Sequence, residues 1–162
     1  MDQKNELPLV LRSAYHGLHR RSNIRFEDYG VTADQFVLLA TLARGDAITQ
    51  RELAARMPSD PSTVRAMLVL LRKRGLVARE THPTDGRAKT VSLTKAGRQT
   101  FQQVWKAGQS IRDQMVSSLS TQEVTTLVTL LRRVAESLAE SAPVMATAST
   151  EDGTWQPVEK GV

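Results

Sequence analysis

The chain has 162 residues, 40% of them apolar and 24% charged, the balance of an ordinary globular protein of one domain, with or without an appendage. It has no cysteine, which excludes disulfide frameworks, cysteine zinc sites, thiol nucleophiles and thiol-oxidation switches; at 4% aromatics it is also poor in the rings that a platform for single-stranded nucleic acid needs. The net charge is +5, and it is uneven: residues 61–100 carry +7, with only Glu80 and Asp85 opposing the arginines and lysines, while the rest carries −2. Such a block is the electrostatic footprint of a polyanion-binding surface, or else a solvated charged face. No apolar run reaches the 18 or so residues of a membrane span, and the start MDQKNELPLV lacks a signal peptide's order, so a soluble, cytoplasmic protein is expected.

In chain order, Leu7, Val10, Leu11, Ala14, Tyr15 and Leu18 follow the three-and-four rhythm of a helix over roughly 8–25. Thr32 with Gln35 forms a capping box that opens a second helix, with Phe36, Leu39, Ala40 and Ala43 inward and a stop near Arg44-Gly45. Thr49 with Glu52 opens a short third helix, about 50–57, presenting Leu53, Ala54 and Met57. Asp60-Pro61 starts a fourth, an N-cap oxygen followed by a proline at the first helical position; it buries Val64, Met67, Leu68 and Leu71 and ends at Gly75. From Leu76 to Leu93 the rhythm changes. Val91 and Leu93 alternate with polar residues, and Pro83-Thr84-Asp85-Gly86 is turn chemistry, which together predict a two-stranded hairpin. Thr94 caps a long polar helix over about 95–118 with Phe101, Val104, Trp105, Ile111 and Met115 on its stripe. Ser120 with Glu123 opens the last, over 121–140, whose stripe is Val124, Leu127, Val128, Leu131, Val134, Ala135 and Leu138. The tail 141–162 has no period; it is expected to be disordered, or docked only through Trp155.

Two short helices joined by Met57-Pro58-Ser59-Asp60 and followed by a basic hairpin describe a winged helix-turn-helix. In such a pair the second helix enters a major groove, and the positive end of its dipole favours phosphate. With the four apolar residues of the fourth helix inside, its outer face carries Ser62, Thr63, Arg65, Ala66, Val69 and Arg72. Arg65, in the early turns, is placed to grip guanine through two parallel hydrogen bonds, or is simply solvated.

The runs ITQRELAARM, DPSTVRAMLVLLRKRGLVARE and PTDGRAKTVSLTKAG resemble the MarR (multiple antibiotic resistance regulator) family of bacterial transcription regulators over about 7–138. The most specific part is the wing, Asp85-x-Arg87-x-Lys89 followed by Val91, Leu93-Thr94 and Gly97. The resemblance implies a mainly α protein. A winged helix-turn-helix at 32–97 would sit between a dimerisation helix at 1–31 and dimerisation helices at 98–140, with 141–162 as a tail. It implies a homodimer that binds a pseudo-palindromic operator in double-stranded DNA, most often as a repressor. At the wing tip it implies that Arg87 reaches into the minor groove and Asp85 steadies the loop. Narrow A·T-rich grooves do concentrate negative potential that attracts arginine, although turn chemistry alone also accounts for Asp85. Two departures stand out: Pro58-Ser59 replaces the usual small-then-apolar pair in the turn, and Val69-Leu70 replaces charged positions, through extra packing or contact with thymine methyls.

The first and last helices carry more apolar surface than one small winged domain covers, which also points to a twofold partner. Many relatives release DNA on binding small aromatic acids or phenols. Tyr15, His16, His19 and Arg20 on the first helix, Phe36 on the second, and Trp105 and Arg112 on the fifth are the residues that would line such a site, although each also has an ordinary structural role. His16 and His19, three apart, have a spacing that suits a metal with a carboxylate partner, but dimer-edge histidines are commoner; no metal or cofactor is assigned. An enzyme fares worst, with three histidines, no cysteine and no glycine-rich phosphate loop. The alternative from another class is a winged-helix protein-interaction module with the basic wing as docking surface.

Overall fold

The computed structural model describes residues 2–45, 47–82 and 84–140. The tail beyond residue 140, with Trp155, and Pro83 of the predicted turn lie outside the described residues. By internal contacts the chain divides into Met1–Ser117 and Ser118–Val162.

The first unit opens with α1 (Gln3–Phe26), a single 3-10 turn (Glu27–Tyr29) and α2 (Ala33–Ala43). The short strand β1 (Ile48–Thr49), α3 (Gln50–Arg56) and α4 (Pro61–Lys73) come next. After them run β2 (Val77–Thr81), β3 (Lys89–Leu93), α5 (Lys95–Ala107) and α6 (Gln109–Val116); α7 (Thr121–Glu140) lies in the second unit. The caps read from the sequence account for most of these starts. Thr32 with Gln35 and Thr49 with Glu52 form reciprocal boxes, Asp60 caps α4, and Thr94 accepts from the Gly97 amide. At the start of α7, Ser120 and Glu123 exchange the same pair of bonds. α4 ends in a Schellman turn. Gly75 takes φ +69°, and the Leu76 and Gly75 amides return to the carbonyls of Leu71 and Arg72.

Four features differ from the sequence reading. The sheet has three strands in the order β1-β3-β2, all antiparallel, because Ile48-Thr49 pairs with Val91 and Thr90 before α3 begins. Two residues are too short for a period-two signal. The predicted helix over 95–118 breaks at Gly108, where the ring of Phe26 packs 3.4 Å from the place a Cβ would occupy; a glycine admits the ring and weakens the helix at the same point. α1 begins five residues early, since the Asp2 side chain accepts from the Lys4 amide and Pro8 sits within the second turn. The inner face of α2 is also rotated. Leu38, Leu39 and Leu42 are buried, and Phe36 is only half-buried.

One core holds the first unit together. Leu38, Leu39 and Leu42 of α2 meet Leu53 and Met57 of α3, Val64, Met67, Leu68 and Leu71 of α4, and Leu76, Val77, Val91 and Leu93 of the wing base. Phe26 and Val104 join it from α1 and α5. The four buried α4 residues are those its spacing predicts, so the outward face of that helix is fixed by the core behind it. α1, by contrast, buries only Ser22 and Phe26 and leaves Leu7, Leu9, Val10, Tyr15 and Ile24 exposed. On α7 the stripe residues Leu127, Val128, Leu131 and Leu138 are likewise exposed, along with Leu130.

Candidate nucleic-acid interface and effector cavity

With Val64, Met67, Leu68 and Leu71 turned inward, α4 exposes Ser62, Thr63, Arg65, Ala66, Val69 and Arg72. Val69 is 41% and Leu70 51% exposed, so the apolar middle of the helix is available to a partner rather than spent on extra packing. The turn Met57–Asp60 holds the helix start where the core places it. Met57 is buried, and its amide closes α3 on Leu53 and Ala54. Arg65, Arg72 and Arg79 edge a hollow of about 150 Å³ between α4 and β2, floored by Leu68, Val69, Val77 and Val91.

The wing is a ladder from Val77↔Leu93 to Thr81↔Lys89. Its loop closes through His82 N–H to the Ala88 carbonyl and Ala88 N–H to the Asp85 carbonyl, both 3.0 Å. The Asp85 carboxylate accepts from the Arg87 backbone amide at 3.0 Å. Asp85 therefore shapes the loop through its main chain and leaves the Arg87 guanidinium unclaimed. Lys89 donates across the wing to the Thr81 hydroxyl at 2.7 Å. Among the described residues no arginine or lysine pairs with a carboxylate, the single contact of that range being the His19–Asp34 hydrogen bond, so Arg65, Arg72, Arg79 and Arg87 face solvent with no carboxylate neutralising them. That leaves a positive field over one face.

At the start of α4 the structure differs from the simple dipole expectation. The Asp60 carboxylate accepts from the Ser62 and Thr63 amides at 3.0 and 2.9 Å, from the Thr63 hydroxyl at 2.6 Å, and from the Ser62 hydroxyl; the Val64 amide goes to the Asp60 carbonyl. The Ser62 and Thr63 hydroxyls, then the amides, hold its acidity well below the ordinary carboxylate value. The end that would have favoured phosphate is already occupied by a carboxylate.

A second feature lies at the junction of α1, α2, α5 and α6. A cavity of about 320 Å³ is walled by Tyr15, His19, Phe26, Phe36, Trp105 and Arg112, with Leu18, Ile111 and Met115 around them. Phe36 links Phe26, Phe101 and Trp105 in a ladder of rings with centroids 5.1–6.2 Å apart. Arg112 lies 4.2 Å over the Trp105 ring and donates to the Trp105 carbonyl and the Gln109 side chain. On the opposite wall the Ala33 amide donates to Asn23 Oδ1 at 2.8 Å, which turns the Asn23 amide group toward His19 Nδ1 at 3.2 Å. His19 Nδ1 is then the acceptor, and Nε2–H donates to Asp34 at 3.2 Å.

Of the residues read from the sequence, Tyr15, His19, Phe36, Trp105 and Arg112 thus meet around one cavity. His16 and Arg20 lie with Arg12 and Gly17 along another face of α1. No group of three metal-ligating side chains occurs among the described residues. Asp34, Ser22 and Met115 were missed. Ser22 was findable, because Tyr15, Leu18, His19, Ser22 and Phe26 continue a single helical face; Asp34 reaches the cavity only through the α1–α2 packing.

A family model described as MarR family matches residues 29–88. The chain is 32% identical over 138 residues to the multiple antibiotic resistance protein MarR of Escherichia coli, covering 82% of this chain and 95% of that one. It is 28% identical over 120 residues to the HTH-type transcriptional repressor MdtR of Bacillus subtilis, covering 74% and 77%. Among solved structures it resembles a mutant E. coli MarR complexed with operator DNA (TM-score 0.74, 28% identity, 82% and 96% covered). It also resembles Bordetella bronchiseptica BpsR, whose DNA binding is regulated by 6-hydroxynicotinic acid (TM-score 0.73, 28% identity, 79% and 91% covered).

Proposed function

The chain belongs to the MarR family of transcription regulators and is not an enzyme, and from that premise we propose that it is a cytoplasmic, homodimeric repressor that binds a pseudo-palindromic operator in double-stranded DNA and responds to a small aromatic ligand. The observation that carries the DNA reading is the unpaired set Arg65, Arg72, Arg79 and Arg87, spread over the exposed face of α4 and the wing. In this reading Ser62, Thr63, Arg65, Ala66 and Val69 face base edges, while Arg72 and Lys89 face the backbone. Arg87, on a loop shaped by Asp85, enters the minor groove. The segments 1–31 and 98–140 build the dimer around the winged domain 32–97, and the exposed apolar residues of α1 and α7 support that division. Two copies of α4 then lie about 34–36 Å apart, one turn of B-DNA.

Operator fragments recovered from the intergenic DNA beside the gene test this directly. Duplex affinity is expected to fall steeply with salt, with a log–log slope of roughly −0.9 per phosphate contact. Arg65→Ala relaxes preference at one base pair, costing about 1–3 kcal/mol, whereas Arg87→Ala weakens binding mainly at A·T-rich flanks. A salt-insensitive interaction, untouched by either change, belongs instead to a protein-docking wing.

The cavity supports the effector part of the reading. Its apolar walls and stacked rings suit a flat aromatic body, and His19, Asp34 and Arg112 supply a few polar groups. BpsR's regulation by an aromatic acid points the same way. In a thermal-shift screen of aromatic carboxylates and phenols, a true effector at a hundred times its Kd raises Tm by about 5–10 °C and releases operator DNA. Phe36→Ala is expected to abolish both responses. A screen without any stabiliser, with operator binding unmoved, would count against a ligand-responsive repressor.

A further inference from the structure

We infer that Asp60, by taking the hydroxyl protons of Ser62 and Thr63, makes both side chains hydrogen-bond acceptors, so that the first turn of α4 reads the exocyclic amino groups of adenine or cytosine rather than keto oxygens or phosphates. The inference rests on the DNA-binding reading above and names what that same surface selects. A serine or threonine hydroxyl has one proton and two lone pairs. An ionised carboxylate only accepts, and Asp60 is held ionised by four donors. Each hydroxyl proton is therefore directed at Asp60, and what each exposed oxygen offers a partner is a lone pair.

The partner chemistry follows. In the major groove the donors are N4–H of cytosine and N6–H of adenine; guanine N7 and O6, adenine N7 and thymine O4 are acceptors, as are phosphate oxygens. Lone pairs held in place oppose acceptors and pair with the two amino groups. The first-turn amides cannot substitute, because those of Ser62, Thr63 and Val64 are already bonded to Asp60. One turn further along, Arg65 is the donor of this face, and Val69 follows it as an exposed methyl-bearing surface. The face thus runs acceptor, donor, apolar along the helix.

The test uses the full-length protein and a duplex selected from a random library, with single atoms of the bases removed. Replacing adenine by purine, or cytosine by its analogue lacking the 4-amino group, at the position that depends on the hydroxyls is expected to weaken wild-type binding about two- to tenfold, the range of one hydrogen bond. The same replacement leaves the Ser62→Ala/Thr63→Val double variant unchanged, a comparison that cancels any effect on base pairing. That variant keeps the two amide bonds to Asp60, and Asn ranks beside Asp as an N-cap, so Asp60→Asn also folds. Because the Asn amide can donate, Asp60→Asn frees a hydroxyl proton and gains sensitivity to loss of a keto oxygen at that position. Wild-type sensitivity to a keto oxygen or to N7 there, or an Asp60→Asn profile identical to wild type, overturns the inference. A library with no preferred sequence at all would instead overturn the DNA-reading function beneath it.

Discussion

Gly97→Ala is expected to lower stability by about 3 kcal/mol or more, a larger loss than most surface changes produce. Gly97 is buried where the start of α5 crosses the base of the wing, and an added Cβ would lie well inside van der Waals contact of the Leu76 carbonyl oxygen and 2.9 Å from its carbon. Neither atom can move alone. The Leu76 carbonyl accepts from the Thr94 amide at 3.1 Å, and the Thr94 hydroxyl both donates to the Gly75 carbonyl and caps the Gly97 amide at 3.0 Å. The methyl therefore forces apart the helix cap, the end of α4 and the wing together, as overpacking does when the neighbour is main chain. Thermal unfolding should show Tm lower by about 6–12 °C. Gly86→Ala at the wing tip, where nothing lies within 4 Å of the added carbon, is the control and is expected to change little. A Gly97→Ala protein that melts with the wild type would contradict the packing described here.

The second large effect concerns assembly. Leu127→Glu together with Leu131→Glu is expected to leave a folded protomer that no longer dimerises and that binds operator about 10²–10⁴-fold more weakly. The loss arises because the second half-site is no longer held at high effective concentration. The two leucines stand four apart on one face of α7 and are 45% and 37% exposed, so two carboxylates there cost the isolated helix little and are incompatible with an apolar interface. Sedimentation reads the assembly, circular dichroism the fold, and titration of a single half-site the remaining intrinsic affinity. A variant that stays dimeric and binds normally would remove α7 from the interface.

Much of this architecture is written in local chemistry. The boxes at Thr32, Thr49 and Ser120 and the Asp60-Pro61 start are decided within four residues, and the four-residue stripe of α4 declares which side faces the core. The wing follows from the alternation at Val91 and Leu93 and the Asp85-Gly86 turn. The unread parts depend on contacts distant in sequence. β1 exists because β3 lies beside Ile48, and the break at Gly108 exists because Phe26 arrives from α1. Asp34 enters the cavity because Asn23 holds α2 against α1 through the Ala33 amide. At the interface, residue types on α4 were legible, but the direction of their hydroxyl protons was not, since that depends on side-chain rotamers that converge on Asp60.

Phe36 touches Phe26, Phe101 and Trp105 and also walls the cavity, so one ring both packs against the core and shapes the hollow beside it. Under the ligand reading proposed above, a substitution that reshapes the cavity at that ring therefore also erodes the scaffold. Changes at the half-open rim, at Tyr15 and Met115, alter the cavity's shape at less cost to the folded state, because both side chains are 54% exposed.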